Sequence, residues 1–83
     1  MSTIEDVKAV LDENLALGGR ARSFTATTEL FGTLAELDSF AVVGLVAALE
    51  QRFGIQIADD DINLESFASV GALSALVERK LAR

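Results

Sequence analysis

Asp38-Ser39-Phe40-Ala41-Val42-Val43-Gly44-Leu45-Val46-Ala47-Ala48-Leu49-Glu50-Gln51-Arg52-Phe53-Gly54 is the stretch on which the reading of this chain turns. Asp38 and Ser39 are both residues that cap a helix N-terminus through a side-chain oxygen. Gly54 adopts at low cost the left-handed conformation that ends a helix. A helix is therefore predicted from Asp38-Ser39 to about Phe53. Its apolar positions are Phe40, Val43, Leu45, Val46, Leu49 and Phe53, and Ala41, Val42, Gly44, Ala47 and Ala48 fill most of the remainder. A helix apolar nearly all round is either central or keeps an outer face for a partner. In 83 residues no helix is wholly surrounded by protein, so both readings stand. Gly44 costs roughly 1 kcal/mol against Ala inside a helix, which leaves close helix packing or a partner's approach as its use.

Downstream, Ile55 and Ile57 carry a short extended connector. Asp59-Asp60-Asp61 opens a brief helical turn, favoured by acids at its N-terminus, with Ile62, Leu64 and Phe67 expected to point inward. Ser69 caps a last helix whose stripe is Val70, Leu73, Leu76, Val77 and Leu81; Arg79, Lys80 and Arg83 suit the negative end of its dipole. Upstream, Thr25, Thr27 and Thr28 disfavour a regular helix, while Phe24, Leu30, Phe31, Leu34 and Leu37 are too apolar for water. Residues 20–37 thus read as a long loop pinned by its own side chains, with a short turn near Leu30-Phe31-Gly32. Loops this long in small domains are often functional. Ser2-Thr3-Ile4-Glu5 has capping-box spacing, and Ile4, Val7, Val10, Leu11 and Leu15 recur on one helical face. Gly18-Gly19 is the expected stop, so the first helix is placed at about 3–17. The result is an all-α chain of three longer helices and one short one, without strand, repeat, linker or second domain: residues 1–83 read as one domain.

Composition narrows the function. The chain has no Cys, which excludes disulfides and thiolate metal sites, and no His, the commonest general base. An independent enzyme is not expected, since no pair of catalytic groups with sensible spacing presents itself. The formal net charge is −6, a surface that repels nucleic acid and anionic lipid. Half the residues are apolar, too many for a disordered acidic tail. No apolar run approaches ~18 residues, and Met1-Ser2-Thr3-Ile4-Glu5 lacks the features of a signal peptide. A cytoplasmic monomer with neither membrane nor nucleic-acid partner is expected. The acidity is concentrated: Glu29 to Glu65 holds eight acids against Arg52 alone, whereas five acids face six bases elsewhere. Such a field steers a basic partner to the second helix.

Ser39 stands at the start of that helix. A Ser there is ordinarily an N-cap, contributing roughly 0.5–2 kcal/mol. Nothing near it makes it a nucleophile unaided, since no His exists and no Lys lies within several residues. Chemistry at Ser39 would need a base supplied by another enzyme.

The segment from Glu36 to Leu81 resembles the acyl and peptidyl carrier protein family. The resemblance rests on Leu37-Asp38-Ser39-Phe40, similar to the family's attachment signature, and on Thr28-Glu29-Leu30-Phe31-Gly32 before it. Leu45, Leu49, Glu50, Phe53 and Gly54 resemble the family's second helix, and Asp59-Asp60-Asp61-Ile62, Phe67, Val70 and Leu73 its acidic short helix and the start of its last. The resemblance implies a right-handed four-helix bundle with a short third helix. It also implies a 4′-phosphopantetheine arm, moved from coenzyme A onto Ser39 by a phosphopantetheinyl transferase with Mg²⁺, with Asp38 and Phe40 flanking the site. Acyl or aminoacyl groups would ride on that arm as thioesters, while acyl-loading and acyl-transfer enzymes supply the catalysis. A phosphodiester at a helix N-terminus is favoured by free N–H groups and the dipole.

Three departures from the family pattern matter: the first enlarges an apolar contact for the transferase, the second points to dedicated partners and the third to a specialised bacterial pathway. Phe40 stands where Leu or Met is usual. Ala41 and Gly44 stand where fatty-acid carriers bear acids, leaving Glu50 as that helix's only acid after Ser39. Residues 62–70 exceed the fatty-acid version in length. Partners with basic or apolar docking surfaces are expected to meet Ala41, Val42, Gly44, Ala47, Glu50, Asp59, Asp60 and Asp61. Asp59-Asp60-Asp61 is read as capping and solvation rather than a metal site, and Arg20 and Arg22 as solvated, though within their chemistry to touch a phosphate. The small side chains of Ala41, Ala47, Ala48, Ala72 and Ala75 are expected to let the bundle open around an acyl chain. The rival reading is an unmodified helical interaction module using the apolar side of the second helix.

Overall fold

Three helices carry the core: α1 (Thr3–Leu15), α2 (Ser39–Phe53) and α3 (Val70–Leu81), in a computed structural model that describes residues 3–82. The expected Ser2 capping box and the Arg83 contribution to the last dipole lie outside the described residues. α1 packs against both α2 and α3, and buries Val7, Val10, Leu11 and Leu15, with Ile4 partly covered. These positions recur at the helical period, so one stripe faces inward.

α1 ends two residues earlier than its sequence implies. Ala16, not a glycine, takes the left-handed conformation (φ 53°), and the Leu17 N–H reaches back to the Asp12 carbonyl at 3.0 Å. This six-to-one bond is the Schellman ending, and the buried Leu17 supplies its apolar contact. The Asp12 carboxylate then accepts the N–H groups of Gly19 and Ala21, both at 3.1 Å, and seats a 3₁₀ turn at Arg20–Ser23 that the loop reading lacked.

The rest of the long connection is pinned by backbone as well as by side chains. Leu30 and Leu37 are buried, and Phe24, Phe31 and Leu34 partly so. Beside them the N–H of Leu30 bonds the Ala68 carbonyl (2.9 Å), that of Phe31 bonds Phe67 (3.1 Å), and that of Val70 bonds Thr28 (3.0 Å). Glu29 and Ser69 form an isolated antiparallel bridge, with no strand among the described residues. Apolar loop residues are tolerable in a core only when their backbone polar groups find such partners. The ladder closes at Gly71, whose N–H meets the Ala26 carbonyl at 2.8 Å.

α2 turns one side inward. Leu45, Val46 and Leu49 are buried, and Ala41, Val42, Ala48 and Phe53 are partly buried. Phe40 and Val43, counted among the apolar positions of this helix, are 88% and 68% exposed. At 100° per residue Phe40, Val43, Gly44, Ala47 and Gln51 share one face opposite Val42, Leu45, Val46 and Leu49. Gly54 ends the helix at φ 66°. Glu50 then turns back, its Oε2 accepting the Ile57 N–H at 2.8 Å, which holds the buried Ile55–Ile57 connector.

The expected short third helix is reduced to one 3₁₀ turn, Asp59–Asp61, followed by a turn at residues 64–67. Only Phe67 points inward; Ile62 and Leu64 are 37% and 70% exposed, contrary to expectation. Asn63 accounts for this: its Oδ1 accepts the Ser66 N–H (2.9 Å) and its Nδ2 donates to the Asp60 carbonyl (3.1 Å), so a polar side chain, not an apolar face, shapes the turn. Ser69 Oγ caps α3 by accepting the Ala72 N–H, and Val70, Leu73, Leu76 and Val77 are fully buried. Leu81, placed in the stripe from sequence, is exposed because α3 runs past the edge of the core there.

Two helical glycines make opposite demands. A Cβ on Gly71 would lie 2.8 Å from the Ala26 oxygen, whereas one on Gly44 would meet only Asn14 Oδ1 at 3.5 Å. The close approach thus belongs to Gly71, against the backbone of the long connection, and not to Gly44. In urea denaturation, Gly71→Ala is expected to lose about 1–3 kcal/mol, and Gly44→Ala to gain up to about 1 kcal/mol.

Candidate functional site

The start of α2 decides the chemistry available. Asp38 is the cap: its Oδ1 accepts the Ala41 N–H at 2.8 Å, and its carbonyl accepts the Val42 N–H at 3.0 Å. Ser39 is therefore the first residue of the helix rather than its cap. Its side chain is exposed, and among the described residues its hydroxyl enters no hydrogen bond. The N–H groups of Ser39 and Phe40 are likewise without a backbone partner among those residues, as first-turn donors are.

Ser39 opens onto a groove of about 500 Å³. From α2 come Val42, Val43 and Val46; from the long connection, Phe31; from the segment before α3, Asp59, Ile62, Asn63, Leu64 and Phe67. Val46 and Phe67 are core residues and form the floor, while Val43, Ile62 and Leu64 are exposed rims. Apart from Ser39, Asp59 and Asn63 the lining is apolar, and it holds no cation. The alanines expected to make room for a chain do not line it; valines on the Ser39 side of α2 do. Ser39, Val42, Val43 and Val46 stand at helical spacing, so this face was present in the sequence, but its opposite wall exists only through tertiary packing.

The charged residues divide into tethered and free. The Glu36 carboxyl is held below its ordinary range by its own backbone N–H and by Arg20, whose Nη2 donates to it. Arg20 Nε also donates to the Leu17 carbonyl (3.3 Å), so Arg20 is an internal tie rather than a phosphate contact. Asp61 is likewise held low, first by Lys80 at 2.7 Å and then by the Ala58 N–H at 3.0 Å. Asp59 and Asp60 are exposed, and among the described residues no group of three or more acids gathers as a metal site. Of the positions expected to meet partners, Gly44 and Ala47 lie on the open face of α2, Ala41 and Val42 are half-buried, and Glu50 is turned onto the connector.

These features fit a phosphodiester-linked arm. A hydroxyl unclaimed by the fold stands beside unpaired first-turn N–H groups, and an apolar groove lies within reach of anything attached there.

Comparison with known proteins agrees with this geometry. Residues 5–77 match the family described as "Phosphopantetheine attachment site". The chain is 37% identical over 78 residues to an acyl carrier protein of Helicobacter acinonychis, covering 94% of each chain. It is 40% identical over 62 residues to one of Campylobacter jejuni, covering 74% of this chain and 75% of that one. Its fold is similar to the solution NMR structure of a holo acyl carrier protein from Nitrosomonas europaea, with a TM-score of 0.92, 40% identity and complete coverage of both chains. It also resembles, at a TM-score of 0.64 and 31% identity over 88% of this chain and 97% of the other, a chain in the crystal structure of an engineered Bradyrhizobium japonicum glycine:[carrier protein] ligase with a carrier protein from Agrobacterium tumefaciens and ATP.

The cap assignment is testable by substitution. Asp38→Ala is expected to cost about 0.5–2 kcal/mol in urea denaturation, whereas Ser39→Ala is expected to stay within about 0.5 kcal/mol of the parent.

Proposed function

The chain belongs to the acyl carrier protein family, and on that ground we propose that it carries acyl or aminoacyl groups as thioesters on a 4′-phosphopantetheine arm attached to Ser39. The prosthetic group of this family is that arm, whose terminal thiol forms the thioesters. The observation that carries the assignment to Ser39 is the Asp38 cap. It removes the structural use of Ser39 Oγ and leaves that oxygen exposed at a helix N-terminus.

In the loading step a bond forms between Ser39 Oγ and phosphorus, and the pyrophosphate bond of coenzyme A breaks. Adenosine 3′,5′-bisphosphate leaves, and the hydroxyl proton goes to a base of the transferase, because this chain has no His. What the chain contributes is position and shelter. α2 presents Ser39, and the apolar groove takes up an acyl chain while excluding water from it. Carriers hold intermediates and leave catalysis to the enzymes they visit.

Those partners are a phosphopantetheinyl transferase and acyl-loading and acyl-transfer enzymes. They meet Phe40, Gly44 and Ala47 on the open face of α2 together with the edges of Ala41 and Val42, and the acids Asp38, Asp59 and Asp60 steer them. Asp61 and Glu50, engaged internally, contribute charge rather than contact. The apolar open face, 88% exposed at Phe40, favours dedicated enzymes of a specialised bacterial pathway. The ligase complex among the structural neighbours supports an aminoacyl cargo as one option. Residues 1–83 act as one domain, as a cytoplasmic monomer.

Incubation with coenzyme A, Mg²⁺ and a broad-specificity transferase is expected to add one phosphopantetheine to the parent, and none to Ser39→Ala, by intact-protein mass. No gain with a transferase from the source organism either would favour the unmodified interaction module, which the exposed face of α2 would serve.

A further inference from the structure

The outer wall of the groove is a strap. Residues 58–66 run between two buried anchors, Ile57 and Phe67, while Ile62 and Leu64 on the strap are exposed. Burial therefore holds its ends and not its middle. Most of its hydrogen bonds close on the strap itself: Asp61 N–H to Ala58, Ile62 N–H to Asp59, and the Asn63 bonds. Among the described residues one polar contact ties the strap to a helix, the Asp61–Lys80 ion pair at 2.7 Å.

That pair differs from an ordinary surface bridge. Both side chains retain only 20% of their exposure, so solvent and salt screen it incompletely. Lys80 comes from the last turn of α3, whose preceding turns are fixed by fully buried Leu76 and Val77. The Asp61 carboxylate also accepts the Ala58 N–H, so one group both shapes the strap's turn and fastens it to α3. Neither Asp61 nor Lys80 lines the groove.

We propose that the Asp61–Lys80 pair is a clip that sets how far the groove opens, making both groups positioning residues for the apolar chain sheltered there. The proposal rests on the reading of Ser39 as the attachment point. With the clip fastened, Ile62 and Leu64 form the rim opposite Val43; with it released, the strap swings on its two anchors and the groove loses its outer wall. Because neither side chain of the clip lines the groove, breaking the pair removes no lining side chain and acts on the cargo only through the position of the strap.

The experiment compares the parent with Lys80→Met, which keeps the aliphatic stem and removes the charge, and with Lys80→Arg, which restores it. In the apo proteins, amide exchange at Asp61 and Ile62 is expected to rise roughly three- to tenfold in Lys80→Met and to return towards the parent in Lys80→Arg, with Val10 and Leu45 unchanged. In the octanoyl-loaded proteins, cleavage of the thioester by neutral hydroxylamine is expected to accelerate several-fold in Lys80→Met alone. A rise spread equally over Val10 and Leu45 would make Lys80 merely structural and overturn the proposal. So would unchanged exchange in the strap, or a loosened strap with unaltered thioester cleavage. Failure of the parent to take up any arm, read by mass before acylation, would overturn the carrier reading and the cargo role with it; failure of the clip itself shows in the apo exchange, which requires no arm.

Discussion

The hydrogen bond from the Ala41 N–H to Asp38 Oδ1 fixes where α2 begins, and the start of α2 fixes everything on the functional side of the molecule. Had Ser39 made that bond, its oxygen would be an acceptor committed to the helix, and a substituent on it would compete with the cap. With Asp38 as the cap, the register shifts by one residue. Ser39 then projects from the first turn over the face that continues through Val42, Val43 and Val46. The cap thereby falls to Asp38 and the exposed hydroxyl to Ser39, so the modification proposed at Ser39 leaves the capping bond intact.

The far side of the groove depends on a different device. Phe31 and Phe67 both line it, and the Phe31 N–H bonds the Phe67 carbonyl. The ladder from Ala26 to Phe31 against Phe67 to Gly71 thus joins the long connection to the segment before α3, and its close approach requires the absence of a Cβ at Gly71. α1 stands behind, packed against α2 and α3, and contributes core but no groove residue. Burial is concentrated in the floor, at Val46 and Phe67, and decreases towards the exposed rim.

Much of this was legible in sequence because it depends on local rules. The inward faces of α1 and α3 followed from helical spacing, the end of α2 from Gly54, and the start of α3 from Ser69. Errors arose where tertiary terms outweighed local ones. Ala16 took a conformation that glycine was expected to supply, because burial of Leu17 and the Asp12 carboxylate compensate for it. Ile62, Leu64 and Leu81 are apolar and exposed, since a short acidic turn and a helix end leave nothing to cover them. The backbone ladder was invisible because main-chain bonds leave no side-chain signature. At the site, Asp and Ser are both residue types that cap helices, and one residue of register separates a structural serine from an available one. Family resemblance, not spacing, singled out Ser39; the geometry supplies the physical reason that its hydroxyl is available.

The most direct test of Ser39 as the gate to the groove is the change in side-chain NMR shifts between the holo protein and its octanoyl thioester. Shifts at the methyl groups of Val42, Val46 and Ile62 and the ring of Phe67, with α1 unmoved, are the expected result. Shifts confined to residues 38–41, with the groove methyls unchanged, would contradict it and place the cargo outside the protein.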